Sequence, residues 1–238
     1  MLGIVVSLPW ELKSLTRETI PVGTWRAITD NTLVALAGIG AERAYTAGSA
    51  LVSQGATALL SWGYAAALDE HLKAGCLLLP ARIIGANGDI HLVSTSWHQR
   101  LVQKLESKHA VRTDALVESD AIVKTSAEKR ALATRTQAAA TDMESATHAR
   151  LAQKHRLPFI AIRAIIDTAS TEIPENVLKA LDPQGNIDVW KLLTSAYLTP
   201  ADWIKIVRLG IQFNAAQRTL KKTRALALEP SGTLPGFK

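Results

Sequence analysis

Short apolar runs alternate with amphipathic stretches along this chain, a pattern that predicts strands separated by helices. Residues 2–8 are nearly all apolar and stop at Pro9, which fits a short buried strand. A second apolar run covers 32–37, Gly38-Ile39-Gly40 then turns the chain, and residues 41–53 predict a helix. Residues 57–62 predict another strand that continues into 63–68. The runs 76–84 and 91–94 predict strands around an Asn87-Gly88 turn. A helix is expected over 96–108 and a strand over 114–119, and Ser126-Ala127-Glu128-Lys129 opens a further helix with a pattern close to a capping box. Helices over 188–197 and 201–224 close the chain.

The stretch Thr141-Asp142-Met143-Glu144-Ser145-Ala146 organises the rest. Its acidic pair, Asp142 and Glu144, is expected at the opening of a helix running to about residue 156, where carboxylates complement the unpaired N–H groups of the first turn. Residues 157–166 then form an almost unbroken apolar run, the pattern of a strand buried on both faces. Asp167 therefore falls at the carboxyl end of a central strand, 23 residues after Glu144. Ligands of open α/β sheets bind at that edge. A carboxylate there is desolvated, its pKa rises, and it can act as a proton donor. Helix-capping and strand-ending carboxylates are common, so position alone leaves a structural role open.

The 238 residues, 47% hydrophobic and 20% charged, suffice for one sizeable domain and would be tight for two. No linker or repeat divides the pattern, and its β, α, β order points to one doubly wound or three-layer α/β domain. There is no run of ~18 apolar residues and no basic flank before the first apolar run, so neither a membrane span nor a signal peptide is expected and the protein is expected in the cytoplasm. The single Cys76 lies in an apolar run and reads as a small buried hydrophobe.

Charge modifies this picture mainly in the tail. The net charge is +6, which suits contact with phosphate, an anionic lipid surface or nucleic acid. Between residues 201 and 225, Lys205, Arg208, Arg218, Lys221, Lys222 and Arg224 stand against Asp202 alone. Trp203, Ile204, Val207 and Ile211 recur among them at helical spacing. Such a helix either packs on the domain or rests reversibly on an anionic membrane surface.

Other chemistry is thinly represented. Glu11 follows the first strand directly, as a solvated first-turn carboxylate or a functional one. A Gly-x-Gly turn lets backbone N–H groups approach an anion. The third glycine of a dinucleotide fingerprint is replaced by Arg43, which argues against a Rossmann cofactor site. Arg43 beside Gly40 is a candidate phosphate ligand or an ordinary surface arginine. The six histidines form no zinc-type set, so no metal is expected; His148 and His155, seven apart, share a helix face and are expected at the solvent.

Asp142-Met143-Glu144-Ser145-Ala146, together with Arg163-Ala164-Ile165-Ile166-Asp167, resembles the paired signature of the purine nucleoside phosphorylase and methylthioadenosine/adenosylhomocysteine nucleosidase superfamily. The tail resembles its hopanoid-biosynthesis-associated branch through Ile173-Pro174-Glu175, Asp182-Pro183-Gln184-Gly185 and the basic helix after Pro200. The likeness spans about residues 1–225. It implies a single three-layer α/β/α domain with a mixed central sheet: a core over 1–185 and a helical extension over 186–238 packed on the same domain. It also implies a homo-oligomer that removes adenine from a nucleoside without a cofactor, the nucleoside of the hopanoid branch being adenosylhopane.

By this resemblance Asp167 protonates purine N7 or accepts from the 6-amino group. Glu144, with Asp142, binds on the ribose side, Met143 gives apolar contact to the sugar, and Glu11 orients water. Tyr64 and Ala65 fall in the turn that borders base and ribose. The chain departs from the family there: Ala65-Ala66-Ala67 replaces paired glycines, Tyr64 replaces a phosphate-binding serine, and Ser61 replaces a phosphate-binding arginine. Phosphate remains the alternative co-substrate, with Arg43 and Gly40 to hold it. Three rival readings stay open: a nucleosidase acting on a soluble methylthioadenosine-type substrate, a nucleoside-binding module without turnover, and a basic nucleic-acid-binding protein. Nucleic acid is not the expected partner.

Overall fold

The computed structural model describes residues 1–107, 110–180, 182 and 200–227. The first half of the chain forms β1 (Leu2–Val6), α1 (Pro9–Leu15), β2 (Thr24–Thr29), β3 (Thr32–Leu36), α2 (Ala41–Ser53), β4 (Ala58–Ala67), β5 (Leu77–Leu78), β6 (Arg82–Ile84), β7 (Ile90–Leu92) and α3 (Thr95–Glu106). The second half forms β8 (Val111–Arg112), β9 (Leu116–Glu118), α4 (Ser126–Thr136), β10 (Ala140–Asp142), α5 (Ser145–Lys154), β11 (Phe159–Asp167), α6 (Glu175–Ala180) and α7 (Pro200–Ala227). The helix expected over 188–197 lies outside the described residues.

All eleven strands join one mixed sheet flanked by helices. Its axis is β4, whose residues 58–61 pair in parallel with β1 and whose Ala66 and Ala67 pair antiparallel with β10. On its other edge β4 runs parallel to β11 from Leu59 opposite Phe159 to Ala66 opposite Asp167. β4 and β11 are thus buried on both faces, which is why their sequences carry no polar alternation. Ile4, Val34, Leu60 and Ile162 have no exposed surface, and each such side chain contributes roughly 1.5–3 kcal/mol by leaving water.

The C-terminal helix is divided along its length. α7 packs on β11, α1 and α3, and from Gln212 onward it has Ala216, Leu220 and Ala227 fully buried. Phe213 meets the Trp10 ring edge-on at 5.8 Å. Before Gln212, Trp203, Ile204, Val207 and Ile211 are 43–70% exposed. Among the described residues no helix is long and apolar enough to cross a membrane.

Several boundaries differ from the pattern for identifiable reasons. The run 76–84 is two strands separated by Pro80, which lacks an N–H for a ladder: β5 pairs with β11 and β8, whereas β6 pairs with β7 and β9. β1 ends at Val6 because the Ser7 and Leu8 N–H groups bind the Glu11 carboxylate. The α4 capping box sits one residue earlier than expected, with Thr125 as the cap: its hydroxyl accepts from Glu128 N at 3.1 Å. Asp142 belongs to β10, and α5 begins only at Ser145. His148 is buried, because α5 turns that face toward α2 and the sheet. Cys76 is only half-buried, against the core.

Candidate active site

The carboxyl end of β11 forms the floor. Between Ile165 and Asp167 the β4 pairing shifts register, a bulge of the kind that re-aims a side chain. Asp167 is 3% exposed. Its Oδ2 accepts from Lys129 of α4, and Oδ1 has no hydrogen-bond partner among the described residues. Burial raises the Asp167 pKa, and the Lys129 charge and hydrogen bond oppose the rise.

Glu11 arrives from α1, buried rather than solvated. Its Oε2 accepts from the N–H groups of Ser7 at 2.7 Å and Leu8 at 2.9 Å, and Oε1 accepts from Tyr64 N at 2.9 Å. Burial pushes its pKa up, against Arg163 and these three amides. The carboxylate occupies the space where residue 63 would carry a Cβ, so Gly63 is required for its seat.

Glu144 stands at the N-cap of α5, and its Oε1 accepts from Gly40 N at 2.9 Å. Burial, followed by the neighbouring Asp142 charge, raises its pKa to about 8. Asp142 is engaged by the protein itself. Its Oδ2 accepts from Arg163 Nε at 2.9 Å and from an Arg163 terminal nitrogen at 2.7 Å, while the Ser145 hydroxyl donates to the same oxygen. The same guanidinium donates to Ser61 Oγ at 2.6 Å, and Ser61 meets His148 Nδ1 at 2.9 Å. Burial and Arg163 lower the His148 pKa to about 3. The residue that replaces the family's phosphate-binding arginine therefore sits in a buried polar network, with an arginine from another strand beside it.

The site opens on one cavity of about 470 Å³. Glu11, Asp142, Glu144 and Asp167 meet there with Met143, Tyr64 and Ala65, so those seven sequence candidates converge. Arg43 and Gly40 are not in the lining: Arg43 is exposed on α2, and the Gly40 N–H is committed to Glu144. No Arg, Lys or His lines the cavity among the described residues. Apart from Ser7, Ser119 and Thr141 the remaining wall is apolar, with Ile166, Ile173, Val177, Ile206, Leu209 and Phe213 prominent. Tyr64 ties this wall to the floor, its hydroxyl donating to Gln217 of α7 and its ring 5.7 Å from Phe213. Among the described residues no group of three His, Cys, Asp or Glu is arranged to hold a metal ion.

Comparison with known proteins shows the family of the chain. The family model described as the phosphorylase superfamily matches residues 2–185. The chain belongs to that superfamily. Its members cleave N-glycosidic bonds, and this superfamily chain is an enzyme of that type. No curated protein sequence matches it. Among solved structures it is similar to the 5′-methylthioadenosine/S-adenosylhomocysteine nucleosidase of Helicobacter pylori with butyl-thio-DADMe-Immucillin-A, at 18% identity and TM-score 0.69, covering 93% of this chain and 96% of that one. Futalosine hydrolase of the same organism matches at 17% identity and TM-score 0.69 over 94% of each chain. The Neisseria meningitidis nucleosidase with methylthio-immucillin-A matches at 15% identity and TM-score 0.67, covering 94% and 96%. At such identities the structural likeness concerns the fold.

Four contributors to this superfamily site escape sequence reasoning. Lys129 reads as one more helical lysine after a capping box, Gly63 as one residue of an apolar strand, and Ile206 and Leu209 as part of a tail helix. Only the tail carried a signal, its apolar spacing, and that signal does not say which face meets the cavity.

Proposed function

We propose that the protein releases adenine from a nucleoside bearing a large apolar 5′ substituent, with water as the nucleophile. The observation that carries this reading is the cavity itself, lined by four carboxyl groups together with a larger apolar surface. Cleavage leaves positive charge on the ribose and negative charge on the departing purine, and a catalytic site must neutralise both. Asp167 donates to purine N7, or when ionised accepts from the 6-amino group, a choice that favours adenine over 6-oxopurines. Glu144 takes the ribose hydroxyls and Met143 lies against the sugar. Glu11, fixed by three N–H groups and made a stronger base by burial, activates the water. No cofactor enters this scheme.

Two features support water over phosphate: the lack of Arg and Lys in the described lining, and the engagement of the Gly40 amide by Glu144. An adenine nucleoside is supported by a Helicobacter pylori nucleosidase mutant that holds 5′-methylthioadenosine in its active site. The resemblance of the tail to the hopanoid-associated branch makes adenosylhopane the proposed substrate. The exposed Trp203, Ile204, Val207 and Ile211 adjoin Ile206 and Leu209 at the cavity wall, with Lys205 and Arg208 exposed between them. This continuity supports peripheral contact with an anionic membrane, from which a lipid-linked nucleoside could enter.

The test is release of free adenine from adenosylhopane and from methylthioadenosine, with and without phosphate. The expected result is adenine and unphosphorylated sugar in both buffers, with preference for the lipid-linked substrate. A phosphorylated sugar and an absolute need for phosphate would reverse the choice of nucleophile. Preference for methylthioadenosine would return the protein to the soluble-substrate class, and no adenine from either would overturn the reading.

A further inference from the structure

Lys129 is fully buried although it sits near the start of α4, where its neighbours Glu128 and Arg130 face solvent. Its ammonium has three N–H bonds and meets three acceptors: Asp167 Oδ2, the Thr168 carbonyl at 2.8 Å and the Thr171 carbonyl at 3.0 Å. Two of these acceptors belong to the loop that follows β11, so Lys129 clamps that loop and the carboxylate together. Lysines are almost never fully buried unless paired, and burying an ion pair stabilises little relative to an apolar replacement. A fold-stabilising role alone is therefore a weak reason for a lysine here.

We propose that Lys129 is a positioning residue for the glycosidic cleavage: it holds Oδ2 of Asp167, leaves Oδ1 to meet the purine, and sets the pH range in which Asp167 can donate a proton. The proposal rests on the reaction assigned above. The unpartnered, buried Oδ1 is the independent sign of a ligand group. Other charged groups around the site are accounted for. Glu11, Asp142 and Glu144 line the same cavity from α1 and the β10–α5 junction, and Arg163 is taken up by Asp142. On α7, Lys205 pairs at the surface with Glu172 at 3.7 Å. On α4, Glu128 is engaged by the amides of Lys124 and Thr125. Burial and Lys129 are the influences that act on Asp167.

The sign of the effect follows. Lys129 favours the ionised carboxylate, so removing it raises the pKa of Asp167 further. If activity needs protonated Asp167, the alkaline limb of kcat/KM must move to higher pH. Lys129→Met removes charge and donors; Lys129→Gln keeps a donor without the charge and protects against loss of folding in the first variant. Adenine release is measured from pH 5 to 10 for wild type and both variants, with circular dichroism to normalise for folded protein. The expected result is a lower maximal kcat in both variants with the alkaline limb displaced upward by about one pH unit or more, the effect of a nearby opposite charge. Limbs that superimpose on wild type after normalisation, or a Gln variant fully restored to wild-type behaviour, would reduce Lys129 to a structural donor. A wild type that releases no adenine at any pH would instead remove the reaction itself.

Discussion

Gly63 and Glu11 are sterically matched: the Glu11 carboxylate fills the volume that any side chain at residue 63 would need. Since Oε1 is bound by Tyr64 N and Oε2 by Ser7 N and Leu8 N, the carboxylate cannot move aside without breaking hydrogen bonds in a buried site. Gly63→Ala should therefore displace Glu11 and lower adenine release by about 10²-fold, the scale of a lost general base. Overpacking should cost about 1–3 kcal/mol as well. Paired measurements of melting temperature and turnover per folded molecule would show it; near-normal turnover would take Glu11 out of the mechanism.

Glu144 couples function to stability in opposite directions. Its folded pKa of about 8 lies above the reference value of 4.5. Between those values the folded protein holds a proton that the unfolded chain has lost, so this group's contribution to stability is complete below pH 4.5 and declines as pH rises to about 8. The decline is at most about 1.4 kcal/mol per pH unit. Glu144→Gln should escape it, and the difference in melting temperature in favour of the variant should widen from pH 5 to pH 8. The same variant should turn over up to about tenfold more slowly, the range for losing a hydrogen bond between neutral groups. A variant that is less stable and fully active would make the residue a helix cap only.

Asp167→Asn should lower turnover by ~10²-fold or more. It should also leave the Lys129 ammonium buried without its counter-charge, a defect of about 3–5 kcal/mol. Chemical denaturation and adenine release measured on one preparation would reveal both losses; full activity would exclude Asp167 as the proton donor.

Ile204→Ser combined with Val207→Ser changes two exposed positions of α7 and should leave folding intact. The variant should lose co-sedimentation with anionic liposomes while retaining activity on a soluble nucleoside. Wild-type binding should weaken with salt, since each basic residue near the surface contributes about 1 kcal/mol. Equal binding of wild type to neutral and anionic liposomes would retire the membrane contact. Truncation at residue 201 would be a poorer test, because Ala216, Leu220 and Ala227 belong to the core.

Strands such as β4 and β11 were legible because burial on both faces leaves continuous apolar runs. β2, with four exposed residues in its Thr24–Thr29 span, and the three-residue β10 gave no comparable periodicity. His148 was misplaced for a related reason: a seven-residue spacing marks a face, but packing against α2 and the sheet decides whether that face is wet.

Sequence alone determined that Asp167 would end a central strand and that acidic residues would gather after residue 140, because periodicity and strand-end chemistry are local properties. Tertiary structure decided what each carboxylate does with its oxygens. Tyr64 N reaches Glu11 across 53 positions, Lys129 reaches Asp167 across 38, and Gly40 N reaches Glu144 across 104. Those pairings depend on strand register, on the bulge before Asp167 and on which helix faces turn inward. Such contacts are set by the packing of distant segments, and no local pattern of residues encodes them.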